Sequence, residues 1–80
     1  MSIVKGSIVK AKAGRDKDSF FVVLSVNCGF ALIADGKRRT LEYPKNKKLK
    51  HLEPTNTVIE VSLKTNPQIR KILKNFNNGG

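Results

Sequence analysis

The chain has 80 residues, with 16 lysines and arginines against 6 acids, a formal charge of +10 and an isoelectric point near 10.2. A single domain of this length removes only about 60–65% of its extended-chain surface from water. That leaves little room for a substrate pocket, and the charge points to a polyanion as partner, nucleic acid ahead of an anionic membrane. The lone cysteine, Cys28, excludes an intramolecular disulfide and a cysteine-rich zinc site.

Met1 to Lys5 has no signal-peptide hydrophobic region, and neither terminus carries a lipidation pattern. From Gly6 the pattern alternates: Val9, Ala11 and Ala13 face one way and Ile8, Lys10 and Lys12 the other, as in an extended strand. Gly14-Arg15-Asp16-Lys17 follows as a tight turn, because glycine accepts positive φ and aspartate bonds the nearby backbone. Phe20 to Val26 is β-branched and aromatic on both faces, which predicts a central strand that is covered twice. Its apolar run is too short to cross a bilayer, so a soluble, cytoplasmic protein is expected, monomeric when free.

Asn27-Cys28-Gly29 turns the chain into a strand at Phe30 to Ala34, and Asp35-Gly36 turns it again into Lys37 to Leu41, a four-stranded meander. Tyr43 to Lys48 reads as a loop around Pro44 and Asn46. Leu49 to Glu53 and Thr57 to Leu63 are further extended segments, the latter with Thr57, Ile59, Val61 and Leu63 on one face. The period then changes. Ile69, Ile72, Leu73 and Phe76 fall at i, i+3, i+4 and i+7, with Arg70, Lys71 and Lys74 off that stripe. This predicts a helix over 67–76, with Asn66 as N-cap and Pro67 as first helical residue, docked on the outer face of the Phe20 strand. The expected fold is one mainly β domain, a small barrel over 4–63 with a carboxy-terminal helix.

The densest charge lies in Lys37 to Lys50, where Lys37, Arg38, Arg39, Lys45, Lys47, Lys48 and Lys50 stand against Glu42. In a loop these lysines project freely toward phosphates, while Arg38 and Arg39 supply planar, bidentate donors. On a strand the two arginines alternate, so Arg38 is the exposed one and Arg39 lies at a rim. A second cluster, Lys10, Lys12, Arg15 and Lys17, belongs to the hairpin, and closing a barrel brings the two together. Tyr43, embedded in basic residues, is a candidate for stacking on an unpaired base or a partly buried loop anchor. Phe20, Phe21 and Phe30 are assigned to the core.

Catalysis is not expected. Asp16 and Asp18 sit in a lysine-rich turn where local bonding accounts for them, and a Cys28-His51 arrangement has no pocket to serve. His51 lacks a second ligand nearby, so no metal or other cofactor is implied.

Val4 to Phe30 resembles the KOW motif, an alternating hairpin with a glycine near its middle, here Gly14. Asp35-Gly36-Lys37-Arg38-Arg39, Leu49-Lys50-His51-Leu52-Glu53-Pro54-Thr55, Thr57 to Val61 and Ile69 to Leu73 extend the similarity over almost the whole chain. They resemble large-subunit protein fourteen of archaeal and eukaryotic ribosomes, in the variant of the small bacterial KOW proteins. The resemblance implies an SH3-like barrel and a non-catalytic, cytoplasmic protein bound to large-subunit ribosomal RNA, with other ribosomal proteins as possible neighbours. It makes Gly14, Arg15, Asp16, Lys17, Arg38, Arg39, Lys50 and His51 RNA-facing candidates. Two departures stand out: Asp18, where relatives often carry glycine, and Tyr43 to Lys48, which looks inserted. KOW-type barrels also bind proteins, so an interaction module in transcription or ribosome assembly is the alternative. Duplex DNA is disfavoured for want of a recognition helix.

Overall fold

Phe20–Asn27 has large apolar side chains on both faces, and a strand of that composition is stable only when it is covered twice. In the computed structural model, which describes residues 2–77, it is the middle strand of a five-stranded antiparallel sheet. The strands are β1 (Ser7–Ala11), β2 (Phe20–Asn27), β3 (Phe30–Ala34), β4 (Lys45–Lys48) and β5 (Leu52–Val58), in the spatial order β4-β3-β2-β1-β5. A helix, α1 (Asn66–Asn77), completes a fold that is mainly β with one carboxy-terminal helix.

Alternation sorts the core into two clusters. Val9, Ala11, Phe21, Val23, Ala31, Ile33 and Leu52 pack on one face of the sheet. Ile8, Val22 and Ala34 pack on the other, against Val61 and the α1 residues Ile69 and Leu73. The predicted stripe therefore docks where expected, and Phe76 reaches Phe20 with ring centroids 5.5 Å apart. Pairing shifts between Val23 and Ser25 on β2 and between Ser7 and Val9 on β1. Such bulges bend a strand and increase its twist, which suits a sheet wrapping the first cluster. After β4 the chain makes a 3₁₀ turn, Leu49–His51, whose Leu49 N–H donates to Gly29 (2.9 Å) and whose His51 carbonyl accepts from Lys12 (2.8 Å). The ladder itself stays open, with β4 and β5 as its two edges.

Several local expectations are corrected. Lys37 to Leu41 is a run of bends, and Lys45–Lys48, expected as a loop, is β4. Leu49 to Glu53 is divided between the 3₁₀ turn and β5. The Thr57 to Leu63 segment breaks after Val58 into a second 3₁₀ turn at Val61–Leu63, which leaves Leu63 81% exposed. The helix is capped by Thr65, not Asn66. The Gln68 side chain accepts from the Thr65 N–H at 2.9 Å, as in a capping box, and the Ile69 N–H bonds the Thr65 carbonyl at 3.0 Å. Asn66 is used elsewhere: its Oδ1 accepts from the Leu41 N–H and its Nδ2 donates to Glu42, both at 2.8 Å. The bond from Asn66 is the main reason the Glu42 carboxyl is held below its usual range.

Candidate nucleic-acid interface

The β1–β2 connection uses its glycine as the turn chemistry predicts, but the Asp16 carboxylate bonds Lys45 and not the nearby backbone. Gly14 has a φ of +83°, and Asp18 follows at +72°, a conformation that favours glycine. The turn closes on backbone bonds from Asp18 to Ala11 (2.8 Å), Ser19 to Asp16 (2.9 Å) and Lys17 to Gly14 (3.2 Å).

What fixes this tip to the sheet is a pair of lysines expected to be free. Lys45 and Lys47 lie opposite Ile33 and Ala31 across the β3–β4 ladder, so they share the face of the first core cluster. The Lys47 ammonium, on a residue only 8% exposed, donates to the Ala13 carbonyl at 3.0 Å. Lys45 Nζ meets Asp16 Oδ2 at 2.8 Å. Two side chains of β4 thus span the opening in the ladder to the hairpin. The Lys45 hydrogen bond holds the Asp16 carboxyl below the ordinary aspartate range, partly opposed by burial and reinforced by the charges of Lys45, Lys47 and Arg39. Neither lysine is a spare phosphate ligand in this arrangement.

Asp35 organises the neighbouring loop. Its Oδ1 accepts from the N–H groups of Lys37 and Arg39, each at 2.9 Å, and the Arg39 carbonyl accepts from Asp35 (2.8 Å) and Gly36 (3.0 Å). Arg70 of α1 donates from Nη1 to the Gly36 carbonyl at 2.6 Å. The side-chain bonds of Asp35 compete with the strand that the sequence predicts here. As a result Lys37, Arg38 and Arg39 are all exposed, and the proposed alternation of the two arginines does not apply. Arg39 is close enough to Asp16 to act on its ionisation, so this loop and the hairpin tip are neighbours.

Of the remaining candidates, Lys12, Arg15, Lys17, Lys48 and Lys50 are exposed. Lys12 is joined through its backbone to His51, which is half-buried. Lys10 is partly engaged, 3.7 Å from Asp18 and 5.9 Å above the Phe20 ring. Tyr43 is 79% exposed, so it is not a partly buried loop anchor.

Two features escape sequence reasoning. A groove runs between the hairpin tip, the Asp35–Arg39 loop and α1, and it adds Arg70 and Lys74 to the basic surface. Their signal was the off-stripe helix face. Phe30, assigned to the core, is 37% exposed, as α1 does not reach that end of the sheet. Among the described residues no group of three or more His, Cys, Asp or Glu could hold a metal ion, and no helix is long and apolar enough to cross a membrane. No protein-family model matches the chain, and no curated protein matches it in sequence.

Proposed function

We propose that the chain is a non-catalytic RNA-binding protein, an SH3-like barrel of the KOW type whose target is ribosomal RNA of the large subunit. The observation that carries this reading is the placement of cations against acids. Lys12, Arg15 and Lys17 of the hairpin and Lys37, Arg38 and Arg39 of the adjacent loop are exposed, while Asp16 spends one oxygen on Lys45, Asp35 one on two backbone amides, and only Asp18 among their acids is exposed, 3.7 Å from Lys10. A phosphate approaching this end meets a net excess of positive charge. The wrapped sheet and the lysine-bridged opening support the barrel assignment.

Binding is expected to depend steeply on salt. With about five phosphate contacts at roughly 0.7–0.9 per contact, log affinity falls against log salt with a slope of about −3.5 to −4.5. Arg38→Ala should reduce the slope by about 1 and weaken binding by about 1–3 kcal/mol. A titration against large-subunit ribosomal RNA that is flat in salt counts against the reading. Co-sedimentation with large subunits tests the ribosomal part separately.

The alternative, a protein-interaction module, has its own observation. Phe30 and Leu32 stand exposed beside Ser25, Asn27 and Asn46 at the end of the sheet that α1 does not reach. Salt-insensitive capture of a protein partner that is lost in Phe30→Ala favours that reading.

A further inference from the structure

The groove between the hairpin tip, the Asp35–Arg39 loop and α1 has a volume of about 510 Å³, within the roughly 300–1,000 Å³ of small-ligand sites. Its chemistry is divided. Lys37, Arg38 and Lys74 bring cations to it, Phe20 and Leu73 supply apolar surface, and the carboxylates of Asp16 and Asp35 also line it. A site for phosphate alone has no use for two carboxylates, and an apolar ligand has no use for the cations. A nucleotide has use for both, since its phosphate seeks cations while the edge of its base carries N–H donors.

Each carboxylate is held by one oxygen. Asp16 uses Oδ2 toward Lys45 and Asp35 uses Oδ1 toward the two loop amides, while Asp16 Oδ1 and Asp35 Oδ2 have no hydrogen-bond partner among the described residues. Both residues line the groove, so each brings to it one acceptor oxygen that its internal bond leaves unused. Of the four bases, guanine alone offers two adjacent donor groups, N1–H and the 2-amino group, to a carboxylate. Adenine and cytosine offer an amino group beside an acceptor, and uracil a single imide N–H between two carbonyls that the carboxylates repel. Phe20, whose ring packs against Phe76 and lies below the Lys10 ammonium, adds apolar surface on which the base can rest.

We infer that this groove seats one unpaired guanosine of the bound RNA, with its phosphate on Lys37, Arg38 and Lys74 and its base edge on Asp16 or Asp35. The inference rests on the RNA-binding reading and adds a base preference to it. Lys74 becomes part of the interface, and sequence-neutral phosphate binding acquires a point of specificity.

The test uses fluorescein-labelled uridine octamers titrated into the full chain by anisotropy at one moderate salt concentration. One octamer is all uridine, a second carries a single central guanosine, and a third carries inosine, which lacks the 2-amino group. The guanosine octamer should bind about tenfold tighter than all-uridine, the scale of one good base-edge contact, and inosine should forfeit most of that gain. Asp35→Asn keeps an Oδ1 acceptor for the loop amides but replaces Oδ2 with a donor, and Asp16→Asn tests the other carboxylate. At least one of the two should abolish the guanosine preference, read as the ratio of guanosine to all-uridine affinity, while the lost negative charge strengthens binding to both octamers. Equal, salt-dependent affinities for the three octamers overturn the inference and leave the RNA reading standing, as does a preference that survives both substitutions. Absence of salt-dependent binding to the octamers and to large-subunit RNA alike overturns both.

Discussion

Gly36 is the position where a single methyl group should separate the shape of the basic loop from its charge. It has a φ of +75°, and a Cβ there would collide with the Asn66 carbonyl at the start of α1 and press on the Arg70 side chain. Gly29 provides the comparison: its φ is +82°, but nothing lies within 4 Å of a Cβ. In Gly29→Ala the cost is the left-handed backbone alone, about 1–2 kcal/mol. Gly36→Ala adds displacement of the loop from α1 and loss of the charge-assisted bond from Arg70, a further 1.5–3 kcal/mol or so. For a domain this small, about 1 kcal/mol moves the melting temperature by about 4–8 °C. Gly29→Ala should therefore melt roughly 4–15 °C below the parent, and Gly36→Ala at least another 6 °C or so lower. RNA affinity should fall in Gly36→Ala although no charge has changed. Equal melting temperatures for the two variants would show that the loop does not depend on its seat against the helix.

Asp16→Asn should cost about 1 kcal/mol at neutral pH, a charge-assisted bond discounted for partial exposure. Because the Asp16 carboxyl titrates lower when folded, its contribution is present above the ordinary aspartate pKa of about 3.9 and lost as pH falls through the folded value. Melting curves of parent and variant should converge in strong acid, and a gap that stays constant with pH contradicts the Lys45 pairing. Leu73→Ala, at a buried position of α1, should lower stability by about 2–5 kcal/mol in urea denaturation. Leu63→Ala, at an exposed position of the 3₁₀ turn before the helix, should stay within about 0.5 kcal/mol, and similar losses for the two would mean that α1 is not docked as described.

The elements legible in the sequence are those whose burial follows one period. Ile8 to Ala11 alternates between two cores and reads as a strand, and Ile69 to Phe76 repeats at helical spacing and reads as a docked helix. Lys45-Asn46-Lys47-Lys48 has no apolar residue to reveal an inner face, because that face is occupied by lysine stems whose ammonium groups reach the hairpin tip. Lys37 to Leu41 follows an Asp-Gly turn signal, yet the Asp35 carboxylate takes the amides a ladder would have used. At the helix start, Asn66-Pro67 is a strong local N-cap signal, yet the cap is Thr65 with Gln68, since the Asn66 side chain is drawn to Leu41 and Glu42. The site was legible as charge. The division of those cations into structural and exposed ones was not, since it depends on which residues the curled sheet brings opposite one another.

The lysines of β4 have a consequence for self-association as well. β4 is one margin of an open ladder, and an unpaired margin is a template on which another chain can add a strand. Here that margin reads Lys-Asn-Lys-Lys, with Lys45 and Lys47 turned inward to the hairpin and Lys48 exposed, and inward-pointing charges are one way an edge strand discourages an added strand. The other margin, β5, contains Pro54, which has no N–H to offer an incoming strand. A protein with lysines on one margin and proline on the other gains protection from edge-to-edge aggregation, on the first margin through residues that also hold its hairpin in place.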